Sequence, residues 1–466
     1  MSFRTHVPRL FAGMLAALLA ASCSDPVSRL AAPRSLRADA DAAANRAPAS
    51  QHIFMMNGAI PANFASQVAA RGGAVVRAHG EIGVVVTRGL SDADALALAG
   101  SSGDVVRDTV MRWVPSLASA RGSIMTLPNA PPASVTSINP PQAAAFLAFQ
   151  WNMFQIHAPD AWNTRTGNPG VRVAILDTGL DPDHLDQRGL IDLGTSVAFV
   201  PSLSGPPDWA DDNLHGTFVG GIVTSNDFGT AGVAPNVTLV AVKVLDATGS
   251  GSFGDIIAGI VYAANAHVQV INMSLGAVIP KNAPGVSKLT SALNRAINYA
   301  HRNDVLVVAA AGNDDLDLQH DGNLIEVPCE TGVDMCVSAT GRTDTKASYS
   351  NYGTNAINVA APGGDIDGPP LTNWVLGLCS SHTVDPAFAG CKNGVSYLFA
   401  IGTSASAPHV SGLGAYLDSQ FGGQLKASQM ITLIEQNADD VGKPGTDPFY
   451  GKGRINVVKT VNTTHP

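Results

Sequence analysis

A hydroxyl placed where a helix begins can act as a nucleophile, and Gly402-Thr403-Ser404-Ala405-Ser406-Ala407-Pro408-His409-Val410-Ser411-Gly412 puts Ser404 there, just after the hydrophobic run Tyr397-Leu398-Phe399-Ala400-Ile401. Glycine and small residues let other backbone come close. The first N–H groups of a helix are unpaired and face outward, ready to stabilise negative charge. Serine is also a favoured N-cap, so this segment alone leaves Ser404 as either nucleophile or cap. Three more polar residues bear on the choice. Asp177 follows the apolar stretch Val171 to Leu176 and leads into Thr178-Gly179; alone it reads as a turn former. His215 opens His215-Gly216-Thr217-Phe218-Val219-Gly220-Gly221-Ile222-Val223, a helix-like run whose glycines permit close packing. Asn313 ends Ala309-Ala310-Ala311-Gly312-Asn313, where an apolar strand runs out.

A serine hydroxyl is almost wholly protonated at neutral pH, so it needs a base, and a neutral imidazole suits that task. The imidazole needs a carboxylate on its other nitrogen, which fixes the tautomer and stabilises the imidazolium as it forms. Asp177, His215 and Ser404 are of those three types. Asn313 adds an N–H donor that could hold an oxyanion beside the Ser404 backbone N–H.

The elements that must position these residues are legible from about residue 150. Val171 to Leu176, Val237 to Leu245, Val268 to Met273 and Val305 to Ala310 are Val- and Ile-rich with little polar alternation, the pattern of strands covered on both faces. Gly254 to Ala266 and Leu289 to Arg302 read as amphipathic helices between them. The expected fold is α/β, a mainly parallel sheet with helices on both faces, whose sites form at the carboxyl ends of the strands. Before it, His52 to Met56, Pro61 to Arg71, Ala74 to Arg77, Ile82 to Val86, Ser91 to Ala99 and Val105 to Trp113 give the order βαββαβ. That is a small ferredoxin-like α+β domain with a hairpin at Gly80-Glu81.

From about Trp151 onward the chain resembles the subtilases, the subtilisin-like serine peptidases. Ala174-Ile175-Leu176-Asp177-Thr178-Gly179 is similar to the family's aspartate motif and His215-Gly216-Thr217 to its histidine motif. Gly402 to Val410 resembles the serine motif, and Ala311-Gly312-Asn313 the oxyanion segment. The Asp, His, Ser order is that of subtilisin; chymotrypsin has His, Asp, Ser and α/β-hydrolases Ser, Asp, His. The resemblance implies an endopeptidase working through an acyl-enzyme. Gly249-Ser250-Gly251, Ser274-Leu275-Gly276 and Ala310-Ala311-Gly312 would border an extended substrate, a sequence-tolerant mode that implies broad cleavage of unfolded polypeptide. The βαββαβ segment resembles the subtilase propeptide, an intramolecular inhibitor and folding aid removed by self-cleavage. No cofactor is implied for the chemistry. Structural calcium is common in the family, and no ligands are assigned to it here.

The implied organisation is a signal peptide (1–22), a tether (23–50), the propeptide domain (51–114), a Pro-, Ala- and Ser-rich linker carrying the activation cleavage (115–149) and the peptidase domain (150–466). The signal reads from Arg4, His6 and Arg9, the apolar run Leu10 to Ala20 and small residues up to Cys23. Ala20-Ala21-Ser22-Cys23 also resembles a bacterial lipobox, so the expectation is an exported monomer, freely secreted or held at the membrane through a lipidated Cys23. Setting Cys23 aside leaves Cys329, Cys336, Cys379 and Cys391, which allow three pairings. Local closure favours Cys329–Cys336 and Cys379–Cys391.

Several rival classes are weak. A net charge of −9 argues against nucleic acid as the main partner. Gly249-Ser250-Gly251-Ser252-Phe253-Gly254 matches the dinucleotide fingerprint, but no Asp or Glu between Asp255 and Asp304 stands where a ribose acid is needed. An α/β-hydrolase elbow needs glycine where Ser406 stands, and its histidine should fall well beyond His409. A binding protein on the same scaffold would carry a degenerate or misplaced triad, and none of the four residue types is degenerate here. Asn272-Met273-Ser274 matches a glycosylation acceptor inside an expected core strand. Asp314, Asp315, Asp317, Asp321 and Glu326 read as a solvated acidic loop, with calcium binding or selection of basic residues at the cleaved position as sharper alternatives.

Overall fold

The computed structural model describes residues 50–101, 103–114, 124–128, 130 and 139–464. The expected signal peptide, Cys23, the tether up to residue 49 and much of the expected linker lie outside the described residues. No helix among the described residues is long and apolar enough to cross a membrane.

The N-terminal unit contains β1 (His52–Met56), β2 (Ala74–His79), β3 (Val84–Arg88) and β4 (Gly103–Arg107), with helices Phe64–Ala69 and Asp92–Ala99 after β1 and β3. Its antiparallel sheet has the order β2-β3-β1-β4, the ferredoxin-like arrangement. Ser91 caps the second helix through Asp94 N at 3.1 Å. Every residue of β1 is buried because both sheet faces are covered. Phe54 and Met56 pack with Phe64, Val68 and Val85, on the side of the unit's own helices. Ile53, Met55, Val84 and Val86 join a core with helices Phe253–Asn265 and Val286–Arg302 of the larger body.

Val105 to Trp113 has the composition of a single strand, and the chain forms two there. At Asp108 it leaves the sheet, and the carboxylate accepts Gly254 N (3.1 Å) and Gln51 Nε2 (2.8 Å). β5 (Val110–Arg112) then pairs with another partner, described below. β6 (Ile124–Thr126) lies in the expected linker.

The larger body is built on a seven-stranded sheet of order β16-β15-β13-β11-β7-β9-β8, parallel throughout. Four of its strands stand where the apolar runs placed them: β7 (Arg172–Asp177), β9 (Thr238–Lys243), β11 (Val270–Met273) and β13 (Leu306–Ala310). β8 (Val197–Ala198), β15 (Met335–Thr340) and β16 (Val359–Pro362) extend it. The runs lack alternation because Val173 and Ile175 face one core while Ala174 and Leu176 face the other. Helices His215–Val223 and Thr403–Gln420 contribute to the first core. The latter's Gly412 lies so close to its neighbours that a methyl there would stand 2.9 Å from Val233 Cβ.

β10 (Ser250–Ser252) pairs with β5; β12 (Ala277–Pro280) pairs with β14 (Leu324–Val327); β17 (Val375–Leu378), β18 (Ser396–Ala400) and β6 form a third small sheet. Both local disulfides form, Cys329–Cys336 and Cys379–Cys391, with Cα separations of 5.2 and 5.5 Å. Strand order reverses at β7, since β9 lies on one side of it and β11 on the other. In open parallel sheets such a switch point opens a crevice at the carboxyl edge, and Asp177 is the last residue of β7.

Candidate active site

Asp177 is fully buried and meets His215 Nδ1 with both oxygens, at 2.8 and 2.9 Å. Asp177 Oδ1 also accepts Thr178 N at 2.7 Å, which holds the carboxylate in place. An ionised carboxylate can only accept, so Nδ1 carries the hydrogen and the neutral ring offers Nε2 as an acceptor. His215 Nε2 is buried and has no hydrogen-bond partner.

A residue that sequence reading missed fixes the helix carrying His215. Asp211 Oδ1 accepts Thr178 Oγ1 (2.8 Å), Asn213 N (3.1 Å) and Leu214 N (3.0 Å), and its Oδ2 accepts Thr217 N (2.8 Å) and Thr217 Oγ1 (2.6 Å). This buried acid takes the Leu214 and Thr217 N–H groups, while Asn213 Oδ1 takes His215 N (3.1 Å) and Thr178 Oγ1 takes Gly216 N (2.9 Å), so the helix start is tied to the end of β7. Burial pushes its carboxyl up from the usual range, opposed by the Thr217 hydroxyl and the Lys243 charge. The only sequence signal was an acid a few residues before a helix. Lys243 supports the same edge: Nζ donates to Thr178 O (2.6 Å), Asp212 Oδ1 (2.7 Å) and Leu245 O (2.9 Å). The approach of helix to strand requires Gly216, where a methyl would stand 2.1 Å from Gly179 O.

Ser404 does not cap its helix. Gly402 is the N-cap, at φ +147°, and Ser404 is the second residue of the helix, where a backbone N–H has no acceptor within the helix. Its Oγ donates to Ser274 O at 3.0 Å, and Ser274 Oγ returns a bond to Ser404 O at 2.9 Å. Beside it, Asn313 Oδ1 accepts Thr403 N (2.8 Å) and Thr403 Oγ1 (3.0 Å). With the amide oxygen committed to these donors, Asn313 Nδ2 is left as the donor for a ligand. The structure therefore joins the sequence-predicted residues as two linked pairs, Asp177 with His215 and Ser404 with the Asn313 segment. In this state the serine hydroxyl is bonded to Ser274 rather than to His215.

The crevice beside these pairs holds an extended chain. β5 runs antiparallel to β10, with Arg112 opposite Ser250 and Val110 opposite Ser252. Trp113 N and Val114 N both point at Gly249 O (2.9 and 3.3 Å), and Gly276 N donates to Trp113 O (2.9 Å). The Trp113 side chain is buried edge-on against Phe253 at 4.9 Å, and its Nε1 donates to Gly251 O (2.9 Å). Gly249, Ser250, Gly251 and Gly276 thus pair with a strand, and Leu275 is buried between Ser274 and Gly276. Ala311 bonds instead to Val337 O (3.0 Å) and, through its carbonyl, to Asn351 Nδ2 (2.9 Å). Ala310 is held in the main sheet opposite Val337, and Gly312 N donates to Thr403 Oγ1 (3.1 Å).

Other polar residues sort plainly. His409 is buried between Ala405 O (2.7 Å) and Asn152 Nδ2 (2.9 Å), and burial brings its pKa down to about 4. It is a neutral core residue. Asn272 is internal, bonded to Ser274 Oγ (2.9 Å) and Ser411 Oγ (2.8 Å), so no glycan can reach it. The acidic segment after Asn313 is not wholly solvated: Asp315 and Asp321 pair with Lys346 and Lys281, whereas Glu326 is buried in β14. Burial, then the charges of Asp314 and Glu330, pushes the Glu326 carboxyl well above its usual range.

Among the described residues, Asp181, Asp183 and His382 could approach a common metal ion. They do not fit calcium. Asp181 already accepts Asp183 N, His184 N and Ser381 N, His382 Nε2 is bonded to Asp183 at 2.8 Å, and calcium requires six or more oxygen ligands.

A carboxylate-bound imidazole, a serine in a helix's first turn, an amide donor and an edge that pairs with extended chain are the parts of a serine hydrolase acting on polypeptide. Comparison with known proteins defines the class. A model described as the Subtilase family matches residues 168–453. Thermitase of Thermoactinomyces vulgaris is 34% identical over 325 residues, which are 69% of this chain and 99% of thermitase. Subtilisin Savinase of Lederbergia lenta is 33% identical over 310 residues, 66% of this chain and 96% of its own length. A solved lanthipeptide protease superposes with a TM-score of 0.60 at 28% identity, covering 70% of this chain and 99% of that one. The epidermin leader peptide processing serine protease of Staphylococcus aureus shares the fold, with a TM-score of 0.68 at 23% identity over 90% of this chain and 99% of that one. The chain belongs to the subtilase family and is a serine endopeptidase.

Proposed function

We propose that this endopeptidase is exported as a self-processing zymogen whose chemistry is carried by Asp177, His215, Ser404 and Asn313. The observation that supports this most is the two-oxygen grip of Asp177 on His215 Nδ1, which leaves Nε2 as an acceptor without a partner. On substrate binding Ser404 Oγ exchanges Ser274 O for His215 Nε2, which takes its proton as Oγ attacks the peptide carbonyl. The oxyanion is held by Asn313 Nδ2 and the Ser404 N–H. His215 then protonates the leaving amine, and water repeats the cycle on the acyl-enzyme.

Asn313 gives a test of the oxyanion assignment. Asn313→Ala should lower kcat about 10²–10³-fold, the range known from subtilisin itself, with KM changed only a few-fold. Steady-state kinetics on a peptide substrate measures both; an unchanged kcat would remove Asn313 from the mechanism.

Residues 51–114 act in this reading as the inhibitory propeptide, since β5, Trp113 and Val114 occupy the edge that a substrate would use. Cleavage would fall between Trp113 and Trp151. Docking is tied by Arg77 to Asp255 (2.7 Å) and by Asp108 at the start of helix Phe253–Asn265. Burial, with Asp255 adding to it, pushes Asp108 up to about 6. A carboxyl raised by docking binds its proton more tightly when docked, so the stabilisation is full below the ordinary carboxylate pKa and lost as pH rises through about 6. The cleaved but still bound propeptide should therefore dissociate faster at pH 7 than at pH 4.5, and Asp108→Asn should flatten that dependence. Recovery of activity after processing, followed across this range, measures it.

Export rests on Arg4, His6, Arg9 and the run Leu10 to Ala20, and attachment to a membrane on Cys23.

A further inference from the structure

Glu326 is a buried acid with no part in the chemistry above. It lies in β14 opposite Val278, one residue beyond the Ala277–Val327 pair that joins β14 to the start of β12. A methyl on Gly276 would stand 2.2 Å from Glu326 Oε1, and one on Gly312 would stand 2.9 Å from Oε2. The carboxylate thus sits between these two glycines. They flank the reacting centre: Gly276 N holds the docked strand at Trp113 O, and Gly312 precedes Asn313. Glu326 is 1% exposed, its Oε1 has no hydrogen-bond partner, and the charged groups acting most on it are acids, Asp314 and Glu330. Lys281 is paired with Asp321 (3.0 Å). Burial and the neighbouring acids favour the neutral form of this group, whose Oε1 has no partner, and a cation brought by a ligand would favour the ionised form and pair with it.

We propose that Glu326 forms the floor of the pocket for the substrate residue whose carbonyl is attacked, and that it selects lysine or arginine there. This rests on the hydrolase reading of Ser404. A carbonyl presented to Asn313 and the Ser404 N–H puts its own residue between the Ser274–Gly276 and Ala310–Gly312 segments, and the carboxylate stands at the end of that gap. The backbone-paired positions before it remain sequence-tolerant, so selection is concentrated in one pocket.

The test uses the self-processed enzyme and peptides identical except for arginine or leucine before the cleaved bond. The arginine peptide should have the higher kcat/KM by about tenfold or more, and Glu326→Gln should reduce that ratio by a similar factor. As a measurement independent of any variant, benzamidine should inhibit cleavage of the leucine peptide competitively at about tenfold lower concentration than its neutral analogue benzamide. Cleavage without arginine preference, a preference unchanged in Glu326→Gln, or equal inhibition by the two compounds would overturn the pocket assignment while leaving the hydrolase intact. Cleavage of neither peptide, with Ser404 unlabelled by a small fluorophosphonate, would overturn the hydrolase reading and this assignment together.

Discussion

Ser404→Ala will lower peptide hydrolysis by about 10⁶-fold and leave the purified chain at its precursor length. The size follows subtilisin, in which removing the serine or histidine alone costs about as much as removing the whole triad, about 2 × 10⁶ in turnover. The residue acts through one atom: without Oγ no acyl-enzyme forms, and only oxyanion stabilisation and binding remain, about 10³–10⁴ over water. The fold should scarcely notice. Oγ makes a single hydrogen bond, to Ser274 O, so the stability change is about 1 kcal/mol or less. Intact mass and a melting curve on the same sample separate the two effects. Shortening of the Ser404→Ala chain to its mature size, with no other protease present, would refute self-processing.

Asp177→Asn should cost about 10⁴-fold in kcat while KM moves only a few-fold, because the residue is buried behind His215 and touches no substrate. The reason is the tautomer. Thr178 N donates to Oδ1, so an asparagine keeps its carbonyl oxygen there and turns its NH₂ toward His215 Nδ1. The ring must then accept at Nδ1 and carry its hydrogen on Nε2, the atom that has to take the serine proton. Volume and most contacts are preserved, so a normal melting temperature with a 10⁴-fold slower enzyme is the expected signature. A loss below about tenfold would mean that Asp177 does not set the protonation of His215.

Strands buried on both faces were readable because nothing polar interrupts them: β7, β9, β11 and β13 lie where continuous Val and Ile runs placed them. Asp177, His215, Ser404 and Asn313 stand out in the sequence because they follow such runs or open small-residue helices. β15 and β16 were not, since Met-Cys-Val-Ser-Ala-Thr and Val-Ala-Ala-Pro carry little strand signal and are held by neighbours already in the sheet. The break at Asp108 was hidden for a related reason. Val105 to Trp113 has strand composition throughout, and only the helix start at Gly254 draws the carboxylate out of line. Asp211 and Glu326 show the limit most clearly. Each resembles a surface acid in sequence, yet one locks the His215 helix and the other lies buried against Gly276 and Gly312, positions set by tertiary contacts alone.

The central claim, that His215 activates Ser404 as the nucleophile, is tested most directly by fluorophosphonate labelling with peptide mass spectrometry on the processed enzyme and on His215→Ala matured by added active enzyme. One adduct on the peptide carrying Ser404, lost in His215→Ala, is the predicted result. An adduct on another serine, or equal labelling of Ser404 without His215, would contradict it.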